Sequence, residues 1–319
     1  QLTVTYKYYR ITVIFSMRYL TFKKGSNHSA VGVLLDDSSH VLDLSHSSCN
    51  DIMNGMHSNL LDMVTAGLPA ITKKIASKID GGKYDQAAVV SLDSISIDAP
   101  IPNPVKIIGA AYNFTDALDE RSMTYPAEPV IFIRSACTVI GPYDSILIPP
   151  DVGNVGYEAE LAVVIGRRAL HIEPEVAMSF IAGYTVHNDI SGSGMIKEDK
   201  GNFVRGKNML ASAPFGPFLI TPDEISNPYA IGIKLSVDGR VLQDGSTATM
   251  LFKIAELISY ISKQMPLEPG DIIATGTPGG LAMVHTPTAW LEPGQTVRVE
   301  LDGVGVLNNP IKQGVPFFE

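Results

Sequence analysis

The segment Tyr157-Glu158-Ala159-Glu160-Leu161-Ala162-Val163-Val164-Ile165-Gly166 joins two acids to an apolar run. Ala162 to Ile165 read as a strand buried on both faces, and side-chain alternation along a strand puts Glu158 and Glu160 side by side on one face. Two like charges entering a buried strand repel each other and lose solvation. A positive charge must compensate them, and a hard divalent cation such as Mg2+ does so with one atom. A second strand, Gly183-Tyr184-Thr185-Val186-His187-Asn188-Asp189, ends on an isolated acid. With Asp189 the set becomes three carboxylates, an all-oxygen site that suits Mg2+, Mn2+ or Ca2+ rather than zinc. His187 is either a supporting partner of Asp189 or a structural histidine. The same spacing also fits an ordinary acid pair on the exposed face of an edge strand and an ordinary acid at a strand end, and spacing alone leaves these readings open.

The elements around these residues follow from turn and capping signals. Residues 30–44 predict two short strands around an Asp-Asp-Ser-Ser turn. Segments 51–66 and 69–79, closed by Gly67 and Gly81, predict two helices. Residues 88–97 alternate like a strand, and Pro100, Pro102 and Pro104 then force extended backbone, which places a domain boundary there. Residues 17–100 thus read as a small N-terminal α/β domain and residues 101–319 as the larger one. From Val105 onward the pattern is strand-rich, and only 173–182 and 249–264 read as helices. The larger domain is expected to be α+β and mainly β. Residues 1–16 read as an N-terminal extension ahead of Met17. Their apolar run at 11–15 falls far short of the ~20 residues of a membrane span.

Composition narrows the function classes. The chain has 319 residues, 24 Lys+Arg against 33 Asp+Glu and a formal net charge of −9, with 45% hydrophobic residues and a mean hydropathy of +0.15. Such a chain can bury a core and is not disordered. An acidic surface without a basic patch argues against nucleic-acid binding. Cys49 and Cys137 are the only cysteines, which excludes a disulfide scaffold and a Cys-rich zinc site. A cytoplasmic enzyme with no membrane partner is the expectation.

The segments YEAELAVVIG, GYTVHNDIS, RGKNM, PFGPFLITPDEI, LEPGDIIATGTPGG and LEPGQTVRVELDGVGVLNN, in that order, resemble the fumarylacetoacetate hydrolase superfamily from about Lys106 to Ile311. The resemblance implies a mixed β-sandwich-roll catalytic domain, a homodimer, and Mg2+ or Mn2+ held by Glu158, Glu160 and Asp189. It gives Lys207 the role of a cation beside the metal that contacts substrate or the attacking group. Tyr112 and Arg134 fall in substrate-contacting positions, with Arg134 where members often carry lysine. Gly276 and Thr277 lie in a loop that admits a ligand carboxylate to backbone N–H groups.

Two departures from the family pattern bear on the reaction. Hydrolytic members carry His-x-x-Glu on a mobile lid to activate water, whereas Thr115 and Leu118 occupy those positions here. Asp116, Asp119 and Glu120 are the nearby acids, and Asp116 and Glu120 are taken as candidates to supply a lid carboxylate. Members also commonly follow the metal-binding aspartate with Ala-Arg-Asp-x-Gln. Ser191-Gly192-Ser193-Gly194-Met195 replaces it, removing the usual substrate-carboxylate contact and opening space for a bulkier substrate. The expected substrate is an enolisable 2-oxo acid or 1,3-dicarbonyl compound reacting through an enolate. Hydrolysis also needs a general base, which contributes ~10²–10⁴-fold. Isomerase/tautomerase or decarboxylase chemistry therefore stands ahead of C–C hydrolysis of a diketo acid. A degenerate metal-binding homologue without turnover is the alternative from another class.

Overall fold

Two strands with no solvent-facing side organise the molecule. In the computed structural model, which describes residues 17–24, 28–53, 55–56 and 59–317, every position of Ala159–Ile165 and of Ile181–Asn188 is buried. The proposed extension 1–16 lies outside the described residues. The two strands pair antiparallel with Glu160 opposite His187. From them a large sheet runs one way through Ala213–Ile220, Arg18–Lys24, His28–Leu34 and His40–Asp43 to Val89–Ser91, and the other way through Ile272–Ala274 and Ile107–Ala111 to Val130–Arg134. A second sheet, ordered Arg240–Ser246, Gly232–Val237, Thr296–Leu301, Gly305–Gln313 and Ile146–Ile148, covers one face of the first. The fold is α+β and mainly β, as the sequence predicts.

Alternation along Ala159–Ile165 divides the core. Leu161, Val163 and Ile165 pack with Ile233, Leu235, Val297 and Val299 of the second sheet. Ala162 and Val164 belong to an opposite cluster with Tyr19, Leu42, Val64 and Ile75. Both faces are dry, which is why the apolar run is unbroken rather than alternating with polar residues. The residues before Pro100 add their strands to the same sheet, with Tyr19 opposite Leu219, and their helix Leu60–Asp80 lies over the second cluster.

The helices differ from expectation in identifiable ways. Leu60–Asp80 starts later than expected, capped by the Asn59 side chain on the Asp62 N–H at 2.8 Å, with a separate turn at Asn50–Met53. Its helical geometry fails at Gly67, where φ is 103°, beside Pro69. The helix expected over 173–182 is only the turn Pro174–Ala177 and a short 3-10 segment, because Ile181 already enters the central strand. The last helix, Ile254–Gln264, buries Ile254, Leu257, Ile258 and Ile261 as its periodicity requires.

Asp271 ties the segment entering the Ile107–Ala111 strand to the turn before Ile272–Ala274. Its side chain is fully buried, accepts hydrogen bonds from the backbone N–H groups of Lys106 (3.1 Å) and Glu268 (2.7 Å), and pairs with the Lys106 ammonium at 2.6 Å. Asp271→Ala removes every one of these and strands the donors, so urea unfolding should show a loss of about 3–5 kcal/mol. A loss within the error of the measurement would disprove this assignment.

Candidate active site

The ends of the two central strands bring the predicted acids together. The Asp189 N–H donates to the Glu158 carbonyl at 2.8 Å, and the Glu158 N–H donates to the Asn188 side-chain oxygen at 3.1 Å. One carboxylate oxygen from each of Glu158, Glu160 and Asp189 then lies within 4.8 Å of the others. Lys207, at the end of the helical turn Val204–Lys207, reaches into this group, with Nζ 2.6 Å from Asp189 and 3.0 Å from Glu158. Gly206 permits this: a Cβ there would meet the Gly192 carbonyl oxygen at 2.6 Å.

The charges in the cluster do not balance. Arg134 bonds the other Asp189 oxygen and fixes its own fork on the Ser212 carbonyl and hydroxyl at 2.8 and 2.7 Å. Glu160, among the described residues, has no cation partner and accepts only the Gly276 N–H at 3.0 Å. Three carboxylates against two cations leave one negative charge in excess inside a buried site. Burial, then the neighbouring Asp189 and Glu158, push the Glu160 carboxyl well above its ordinary range. Burial also opposes the charge of Asp189, but Lys207 and Arg134 outweigh it and bring its carboxyl down to about 2. For Lys207 the Asp189 and Glu158 carboxylates outweigh burial and hold the ammonium above the usual lysine value. A hard dication is the group this all-oxygen, net-negative donor set fits.

His187 takes a supporting place rather than a reactive one. Its Nδ1–H donates to the Pro214 carbonyl at 2.9 Å and its ring stacks on Phe215 at 3.9 Å. Burial lowers its pKa to about 3, so the ring is neutral and Nε2, 4.0 Å from Asp189, carries the lone pair.

A cavity of about 510 Å³ opens beside the cluster, and Glu158, Lys207, Tyr112, Gly276 and Thr277 line it. Gly276 has φ of +94°, and a Cβ would stand 2.9 Å from the Ala110 carbonyl oxygen, so only glycine fits. The loop was expected to offer N–H groups to a substrate carboxylate, but the Gly276 N–H is committed to Glu160. The Thr277 hydroxyl donates to the Ala159 carbonyl at 2.9 Å and accepts from Gln243 at 2.9 Å.

Three other expected residues stand away from the cavity wall. Arg134 is 1% exposed and lies behind Asp189, where it holds that carboxylate instead of meeting substrate. Asp116 and Glu120, on the short helix Thr115–Glu120, accept from the Gly279 and Gly280 N–H groups at 3.1 and 2.8 Å. The Thr249 hydroxyl also donates to Asp116 at 2.9 Å. They tie the helix to the glycine loop, and the helix turns Leu118 toward the cavity. Thr115 donates to the Thr249 carbonyl at 3.2 Å. The sequence reading missed Gln243 and Asn113, which bind the Thr277 and Thr275 loop from far along the chain. It also missed Arg121, Lys197 and Trp290 on the cavity wall.

This fold and this carboxylate cluster define a class. The model of the fumarylacetoacetate (FAA) hydrolase C-terminal family matches residues 106–312. The chain belongs to this family, and it is an enzyme of the fumarylacetoacetate hydrolase superfamily. A mitochondrial oxaloacetate tautomerase of Xenopus laevis is 35% identical over 298 residues, covering 93% of this chain and 90% of that protein. Among solved structures, the fumarylacetoacetate hydrolase of Exiguobacterium antarcticum is 28% identical with a TM-score of 0.78, over 94% of this chain and 100% of that one. A maleylpyruvate hydrolase of Sphingobium sp. SYK-6, solved with manganese(II) and pyruvate, shares the fold at 24% identity and a TM-score of 0.73, over 93% of this chain and 100% of that one. Among the described residues no helix is long and apolar enough to cross a membrane.

Proposed function

We infer that the protein interconverts the keto and enol forms of a 2-oxo acid, or isomerises a closely related 1,3-dicarbonyl compound, with Mg2+ or Mn2+ held by Glu158, Glu160 and Asp189 and a homodimer as the working assembly. The observation that carries this reading is Leu118. It stands on the cavity wall where a hydrolase needs a base for water, while Asp116 and Glu120 are held by the glycine loop. The similarity to an oxaloacetate tautomerase over nearly the whole chain supports the same choice.

A divalent cation at these carboxylates would polarise the substrate carbonyls and lower the energy of the enolate. The chain's own contribution is Lys207, whose buried ammonium lies on the cavity wall and can donate a hydrogen bond to the oxygen on which charge develops. Arg134 and Lys207 keep Asp189 ionised as a ligand. Leu118 offers no base to activate water, which favours returning a proton to carbon over cleaving a C–C bond.

With oxaloacetate, the enol absorbance should decay faster with protein and Mg2+ than with either alone, and EDTA should abolish the difference. Total oxaloacetate should stay constant through that decay. Release of pyruvate in step with the decay would instead identify a decarboxylase. Cleavage of an acylpyruvate into two acids at a comparable rate would identify a hydrolase.

A further inference from the structure

The strand Ala159–Ile165, which follows Glu158 and carries Glu160, loses one of its two neighbours toward its acidic end. Ile272–Ala274 pairs with it only from Val164 to Ala162. That ladder ends with the Thr275 N–H on the Leu161 carbonyl at 3.1 Å, and the chain then turns away at Gly276, where φ is +94°. Beyond this point side chains replace the missing ladder. The Thr277 hydroxyl donates to the Ala159 carbonyl at 2.9 Å, and the Ala159 N–H donates to the Gln243 side-chain oxygen at 3.0 Å. Ala159 is the one residue between Glu158 and Glu160, and both of its buried backbone groups find their partners in these two side chains.

Gln243 comes from the second sheet, on Arg240–Ser246, and is fully enclosed. Its Nε2 lies 2.9 Å from the Thr277 hydroxyl oxygen, 3.0 Å from the Pro278 carbonyl and 3.3 Å from the Gly279 carbonyl. These partners fix which way the amide points, since a backbone N–H needs its oxygen and carbonyls need its NH2. Two glycines bring the strand close enough for the bridge. A Cβ on Gly245 would meet Pro278 at 2.6 Å, and one on Gly280 would run into the Leu242 carbonyl oxygen. The glycine loop in turn gives the Gly276 N–H to Glu160. One amide therefore spans the backbone between two carboxylates and the loop that holds the second of them, while Gln243 itself stays off the cavity wall.

We propose that Gln243 is a positioning residue for the reaction, holding Glu158 and Glu160 at the spacing a divalent cation requires. It acts through Ala159 and the glycine loop and touches neither the cation site nor the substrate. The assignment rests on the reading of Glu158, Glu160 and Asp189 as the cation's ligands. Without a cation these three acids repel one another, with one negative charge in excess over Lys207 and Arg134. A strand end held on one side only would let them part. The amide bridge keeps them converged, so a cation enters a formed site and does not have to gather its ligands.

Gln243→Met keeps the length of the side chain and removes all of its hydrogen bonds. In calorimetric titration of the folded full chain, Mg2+ affinity should fall by about ten-fold, the lower end of what loss of a ligand's supporting partner costs. In the metal-free protein, hydrogen exchange at the Ala159 amide should quicken. Raising Mg2+ should recover most of the lost turnover, because Gln243 does not touch the substrate. Asn309→Leu is the control for a purely structural loss. The Asn309 amide is also buried in the second sheet, and it donates to the Gly141 and Asp144 carbonyls at 3.1 and 2.8 Å, residues that do not line the cavity. This variant should lower the unfolding midpoint and bind Mg2+ as wild type does. If Gln243→Met does not fold, Gln243→Asn, one methylene shorter and able to reach one side of the bridge, should show the same loss in smaller measure. Wild-type Mg2+ affinity in a folded Gln243 variant overturns this proposal and leaves the carboxylate reading standing. An equal loss of affinity in Asn309→Leu overturns it in the same way. If the wild-type protein does not bind Mg2+, the reading of the carboxylates fails and this proposal falls with it.

Discussion

Glu160→Gln should abolish metal-dependent turnover while leaving the metal-free protein at least as stable as wild type. The two halves of this expectation share one cause. Glu160 is 2% exposed, has no cation partner among the described residues, and accepts a single N–H. In the metal-free protein its charge is a buried excess, and such a charge costs stability unless it is compensated or protonated. Glutamine keeps the shape and the bond from Gly276 and removes the charge. Calorimetric titration should show divalent-ion affinity falling by more than about 100-fold, beyond the upper end of what loss of a ligand's supporting partner costs. Thermal unfolding without metal should give an equal or higher midpoint, and added Mg2+ should no longer raise it. A variant that binds Mg2+ as wild type does would remove Glu160 from the ligand set. A strongly destabilised metal-free variant would instead mean that the Glu160 charge is compensated in the metal-free protein, because glutamine keeps the acceptor and removes only the charge.

The legible part of this site is the part built from local geometry. Glu158 and Glu160 could be placed together because a strand repeats every second residue, and Asp189 because it ends the apolar strand that pairs with theirs. The bonds that tie the glycine loop to the rest of the site were not legible, because no local pattern reveals them. Its Gly276 N–H meets Glu160 across 116 positions of sequence, and Gln243 reaches Thr277 across 34. Asp116 and Glu120 carried the right chemistry for a lid, but the short helix on which they sit is turned by Gly279 and Gly280, whose N–H groups hold both carboxylates as anchors. Arg134 shows the same limit. Its type suggested recognition of an acid, and it does hold one, but the acid belongs to the protein. Among the elements, the strand expected over 183–189 was clear from its β-branched and aromatic residues, whereas the helix expected over 173–182 loses its end to that strand, which already starts at Ile181.

Lys207 can be separated from Arg134 by substitution, because the two cations share Asp189 but only Lys207 faces the cavity. Lys207→Met removes the ammonium beside the reacting end, and kcat should fall by about 10²–10³-fold, the range found when one preorganised donor to a developing oxyanion is lost. It also withdraws positive charge from a cluster that is already net negative, so the metal-free protein should lose stability. Bound Mg2+ should restore part of that loss. Lys207→Arg keeps the charge and should recover stability, but its planar fork cannot take the place of a compact ammonium between Asp189 and Glu158, so kcat should remain low. The split between the two variants is the informative result. If Lys207→Arg restores kcat along with stability, the residue acts by charge alone. If Lys207→Met lowers only the affinity for substrate, with kcat intact, Lys207 binds the ground state and the donor to the developing enolate must be sought elsewhere on the cavity wall.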